Sequence, residues 1–123
     1  MANLKRNIIK LAKTDAEGKA VLENGEVVLE TFFSSPFIPF RVVLEATKLS
    51  ARMQKATAET EVDMAEELIS FVARDIYGEQ FTKDDLLDRL HAPDAMEEIQ
   101  DQINFVAQGH QSDETKKFLA QKN

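Results

Sequence analysis

The chain has 123 residues, a formal charge of −7 and no cysteine. That length suits one domain with a modest core, and the negative balance argues against unspecific binding to nucleic acid or an anionic membrane. Without thiols there can be no disulfide, thiolate zinc site or cysteine nucleophile. The hydrophobic fraction of 43% is that of a folded globular protein rather than a disordered one.

The opening MANLKRNIIKLAKTD has no apolar run of signal-peptide length, and no later run approaches a membrane span, so a cytosolic protein is expected. Lys5, Arg6, Lys10 and Lys13 form a small basic cluster, best read as solvated charges. Further on, Asn24 and Gly25 are the preferred central pair of a type I′ turn, since both positions require positive φ. Ala20–Leu22 before the turn and Val27–Leu29 after it, leading into Thr31, Phe32 and Phe33, predict a hairpin. Ile8–Lys13 is the candidate for a third strand.

Ser34–Phe40 (SSPFIPF) breaks the pattern, and Pro39 suits the first turn of a helix. Val42, Ala46, Leu49 and Met53 then form a helical stripe that fades between Lys55 and Glu59. A second helix is expected to open at Thr60, with Asp63 completing a capping box, and to run to Tyr77. Leu68, Ile69, Val72 and Ile76 are its apolar face, and Gly78 stands where a helix stop needs positive φ. Thr82 and Asp85 form a second capping box, with Phe81 and Leu86 placed to staple it. The short third helix covers Lys83–Leu90. The fourth opens at Pro93, carries Met96, Ile99, Ile103 and Val106 as its buried stripe, and ends at Gly109.

The expected architecture is therefore mainly α: a four-helix domain with a short N-terminal β-hairpin. The hairpin region covers 1–34, the helical domain 35–109, and a mobile polar tail 110–123.

Nothing in this pattern assembles a catalytic site. His91 and His110 fall at helix ends, where dipole partners are ordinary, and neither has a metal-ligand spacing. The acid pairs Glu66/Glu67, Asp84/Asp85 and Glu97/Glu98 are adjacent on helices and diverge by about 100°. No cofactor or metal site is expected, and no enzyme. The better lead is apolar: Phe32, Phe33, Phe37, Ile38 and Phe40 crowd around two prolines. Two or three can cap a small core; the surplus is expected on the surface as a contact patch, with Met53 an adaptable neighbour. Such a patch also suits a homo-oligomer.

Phe71, Val72, Ile76, Tyr77, Gly78, Gln80, Phe81, Thr82, Asp84 and Asp85 form a variant of the pattern F-V-x-x-[IVL]-[YF]-G-x-Q-F-T-x-[DE]-[DE], with three residues rather than two between Val72 and Ile76. Together with the PF-x-PF-like lead-in and the closing helix, this stretch, about Phe32 to Gly109, resembles the tail assembly chaperones of long, non-contractile-tailed bacteriophages and related prophages, particularly those of Gram-positive hosts. The resemblance implies a helical, acidic, non-catalytic protein of the host cytoplasm that is absent from the mature virion. It implies binding to the tape measure protein, keeping that protein soluble, and recruiting tail tube subunits through a longer frameshifted product. Phe32, Phe33, Phe37, Ile38, Phe40 and Met53 are the contacts inferred for this chain. The competing readings are a small acidic regulatory or inhibitory protein and a structural head–tail connector subunit. Basic residues interleaved with the acids, such as Lys48, Arg74 and Arg89, weaken the first of these.

Overall fold

A computed structural model describes residues 4–121, so the outermost residues of the expected hairpin region and tail lie outside it. In chain order the elements are β1 (Ile8–Ala12), β2 (Leu22–Glu23), β3 (Glu26–Val27), β4 (Leu29–Phe33), α1 (Arg41–Gln54) and α2 (Glu61–Phe71). A π-helical turn (Val72–Ile76) continues α2, and α3 (Lys83–Arg89), α4 (Ala92–Gln108) and α5 (Asp113–Gln121) follow. The chain is mostly helical, as expected, with five α-helices rather than four among the described residues.

The Asn24–Gly25 turn forms as read, with φ of 52° and 81°. Its arms β2 and β3 are only two residues each, pairing Leu22 with Val27 and Glu23 with Glu26. The longer pairing is between β1 and β4, antiparallel, from Ile8↔Phe33 to Ala12↔Leu29. A two-stranded ribbon is marginal alone. This one is held because Ile9 and Leu11 point into the same core as the helices.

Val42, Ala46 and Leu49 of α1 are buried and Met53 packs against the core at its margin. The Thr60 capping box does not form. Thr60 has helical dihedrals, and its hydroxyl accepts from the N–H of Thr57 (2.9 Å), turning back to close the preceding turn. The box at Thr82 does form: Asp85 N–H donates to Thr82 Oγ1 (3.1 Å), and Thr82 N–H donates to Asp85 Oδ2 (2.9 Å). Phe81 and Leu86, beside it, are both buried.

The second helix does not run as one α-helix to Tyr77. At Val72 it widens, and Tyr77 N–H bonds Val72 C=O (3.1 Å) five residues back. The inserted residue places Phe71, Val72, Ala73, Ile76 and Tyr77 all in the core, more than one straight helical stripe can bury. Glu79 N–H then returns to Ala73 C=O (2.8 Å) across Gly78, whose φ is +59°. In α4, Ile99 and Ile103 are buried and Val106 packs against them, but Met96 is 55% exposed. The first turns of this helix stand proud of the core; burial begins only at Ile99. Gln102, a polar residue outside the expected stripe, is also buried.

The fifth helix replaces the expected unstructured tail. Ser112 Oγ accepts from Thr115 N–H (3.1 Å), capping the first turn, where Asp113 and Glu114 suit the dipole. The Phe118 ring lies 6.3 Å from that of Phe33 and 4.9 Å from Lys10 Nζ, which fastens α5 to the sheet.

One buried amide ties strand to helices. Gln102 Oε1 accepts from Tyr77 OH (2.6 Å) and Asn7 Nδ2 (3.0 Å). Its Nε2 donates to Ile8 C=O (2.9 Å) and Glu98 Oε1 (3.1 Å). Burial pushes the Tyr77 phenol far above its ordinary range, helped by the Glu98 charge and opposed by its bond to Gln102, so the hydroxyl stays a donor. Burial also raises the Glu98 carboxyl; Gln102 opposes that, and Asp101, Glu114 and Asp94 add to it.

Three outcomes are expected. Gly78→Val should cost about 1–3 kcal/mol, because φ is positive and a Cβ would meet Ser35 Oγ at 3.0 Å; urea unfolding measures it, and an unchanged midpoint refutes the assignment. Gln102→Leu should cost about 3 kcal/mol or more by orphaning Tyr77 OH, Asn7 Nδ2 and Ile8 C=O; a variant as stable as wild type would show the network to be idle. Because folding raises the Glu98 pKa, its contribution is intact below about pH 4 and is lost as pH rises through the raised value. Glu98→Gln keeps an acceptor for Gln102, so it should raise the melting temperature at neutral pH and leave it unchanged at acid pH.

Candidate functional site

The corner after α2 does more than end a helix. Ile76 C=O accepts from Ser35 N–H (2.8 Å), and Gln80 Nε2 donates to Phe33 C=O (2.7 Å). Gly78 faces Ser35 closely enough that only a residue without a side chain fits unstrained. Gly78 and Gln80 thus pin the start of the Ser34–Phe40 segment to the helical body.

The pinned segment separates its aromatic residues. Phe32 turns inward, its ring 5.0 Å from Phe81 at 72°, with the Arg89 guanidinium 5.8 Å from its centroid. Ile38 and Met53 pack against the core, and Phe33 is half-buried, with Arg6 at 5.4 Å from its ring. Phe37 and Phe40 remain outside, 67% and 74% exposed. Of the six inferred contact residues, the structure presents these two fully to solvent.

Leu44, 54% exposed, joins them. Phe40 already has helical dihedrals, so Leu44 follows it by one turn on the same side of α1, away from the buried Val42, Ala46 and Leu49. The i, i+4 spacing of Phe40 and Leu44 outside that stripe was the available signal for Leu44. Phe40 and Leu44 form a short apolar ridge at the start of α1, and Phe37 is exposed in the segment that leads into it.

A second feature is a groove of about 680 Å³ along β1, between the hairpin, the α3–α4 corner and the start of α5. Ala20, Val27 and Leu29 supply apolar lining, and Asp88, Asp94, Glu98 and Glu114 supply negative charge. The cations there are engaged: Arg89 pairs with Glu30 (2.6 Å) and Asp85 (3.7 Å), and Lys10 sits over Phe118. Sequence reading missed this groove because it depends on the long-range pairing of β1 with β4. A smaller recess between α1 and α2 is lined by Glu45, Asp63, Glu66 and Glu67, with Glu66 and Glu67 paired to Lys83 (3.3 Å) and Arg52 (3.0 Å).

Among the described residues no group of histidine and carboxylate side chains is placed to hold a metal ion, and no helix is long and apolar enough to cross a membrane. The features that stand out are surfaces for contact.

Comparison with curated proteins and with solved structures finds no match. Comparison with protein families matches residues 4–123 to one described as phage tail chaperone protein, which covers the motif from Phe71 to Asp85 and both surfaces just described. The chain belongs to the phage tail chaperone protein family, and so acts by binding rather than by catalysis.

Proposed function

We propose that this chain binds helical segments of the tape measure protein during tail assembly, keeps that protein soluble and helps bring tail tube subunits to it. The carrying observation is the exposure of Phe37, Phe40 and Leu44, three large apolar side chains held in solvent at and just before the start of α1. An amphipathic helix of a partner can bury that ridge against its own apolar face. Phe33, half-buried beside it, and Phe32, Ile38 and Met53 beneath act as its support. The formal charge of −7 keeps the loaded complex dispersed. The host cytoplasm is the place of action, the mature virion lacks the protein, and recruitment of the tube protein runs through a longer frameshifted product. A ridge of this kind also suits contact between two copies, which the same experiment reads out.

Coexpression with the tape measure protein tests the reading. The expected result is a soluble complex, weakened roughly tenfold or more by the double variant Phe37→Glu, Phe40→Glu, since exposed aromatic anchors dominate such interfaces. Sedimentation of the chain alone shows whether the ridge instead joins two copies. A tape measure protein equally insoluble with and without this chain, and no isolable complex, would overturn the assignment.

A further inference from the structure

The outer edge of β1 presents main-chain groups to the groove. Ser34 N–H donates to Asn7 C=O (2.9 Å), and Lys13 N–H donates to Val28 C=O (2.8 Å). Bonded residues alternate along an antiparallel ladder. Asn7, Ile9, Leu11 and Lys13 therefore direct their main-chain groups toward β4 and its continuation, while Ile8, Lys10 and Ala12 direct theirs outward. The flanking outward carbonyls are both closed by side chains: Gln102 Nε2 donates to Ile8 (2.9 Å) and Arg89 Nε to Ala12 (2.8 Å). Between them, no hydrogen bond among the described residues reaches the N–H or C=O of Lys10.

We propose that the groove takes an extended, basic segment of a partner polypeptide, which pairs with β1 at Lys10. One residue of an incoming antiparallel strand can accept from Lys10 N–H and donate to its C=O, the usual mode of strand addition to an open edge. A helix has spent its own main-chain groups internally and has none to offer there. Charge selects the occupant: Asp88, Asp94, Glu98 and Glu114 face a segment whose lysines or arginines would complement them, and they repel an acidic one. Ala20, Val27 and Leu29 receive its apolar side chains. Since the carbonyls on either side of Lys10 are already occupied, pairing is confined to one bonded pair, which makes the hold shallow and releasable. The inference rests on the chaperone reading only in taking another chain as the occupant. It does not involve the exposed Phe37 and Phe40.

The test uses the full chain and a short peptide alternating valine and lysine, with a valine–glutamate peptide and a helical leucine–lysine peptide as controls. Calorimetry should show binding of the valine–lysine peptide alone, and hydrogen exchange at the Lys10 amide should slow when it is present. The double variant Asp94→Asn, Glu114→Gln removes two exposed charges outside the core and should weaken binding roughly fivefold. Lys10→Pro deletes the outward N–H at a position where an edge strand tolerates proline, and should abolish binding; should it not fold, the charge variant carries the test. No binding, unchanged affinity in the charge variant, equal binding of the helical peptide, or an unprotected Lys10 amide would each overturn the proposal. Peptide binding by a chain that fails to solubilise the tape measure protein would keep the groove and remove the chaperone reading. Solubilisation without peptide binding would do the reverse.

Discussion

Gln102 is the constraint on which the arrangement of the chain depends. It is a primary amide in the middle of an apolar core, and its two acceptor sites and two donor protons are all used. The four bonds reach three separate parts of the chain: the start of β1 through Asn7 and Ile8, the π turn through Tyr77, and the preceding turn of α4 through Glu98. A leucine of similar size would supply apolar burial there without directing anything. A buried amide is costly when unsatisfied, so it penalises every packing that displaces β1 relative to α4. That penalty matters because the sheet itself is weak: β1 has one strand partner, β4, and five residue pairs. Burial of Ile9 and Leu11 supplies attraction, and Gln102 supplies position. One cost remains, since Asn7 Oδ1 is buried without a partner among the described residues.

The π turn follows from the same need. A continuous α-helix through Tyr77 could not present Phe71, Val72, Ala73, Ile76 and Tyr77 to one core. Widening by one residue rotates the last turn so that Tyr77 reaches Gln102 and Ile76 C=O meets Ser35 N–H. The motif around Gly78 and Gln80 is therefore structural in its immediate effect. It clamps the Ser34–Phe40 segment, and the clamped segment decides which aromatic side chains go in and which stay out.

Local signals were legible in the sequence. The Asn24–Gly25 turn, the Thr82–Asp85 box and the positive φ at Gly78 and Gly109 each depend on a few adjacent residues whose chemistry admits few alternatives. The split of the aromatic cluster was legible as a surplus, because a small core has room for only some of those rings. Most of what failed was decided at long range, with Thr60 the local exception. Thr60 looks like Thr82 in sequence, yet the turn from Thr57 claims its hydroxyl. Met96 has the spacing of a core residue, but its side of the first turns of α4 faces solvent. Gln102 reads as surface until β1 supplies partners from residues far away in sequence. The fifth helix was obscured because its anchor, Phe118, acquires meaning only when Phe33 and Lys10 are brought beneath it. For the surface, Phe37 and Phe40 could be named in advance; the groove along β1 could not, since it is created by the pairing of β1 with β4.

A chaperone must expose apolar surface without condensing on itself, and this fold separates the two demands by position. The apolar ridge is short and sits where α1 begins, on a backbone pinned at Phe33 and Ser35, so little ordering entropy remains to be lost when a partner covers it. The groove is wider but mixes its apolar lining with carboxylates, which disfavours stacking of one acidic copy on another while leaving a basic partner acceptable. Under the proposed function, both surfaces suit a long partner chain with many similar segments, where effective concentration rather than single-site affinity supplies the hold.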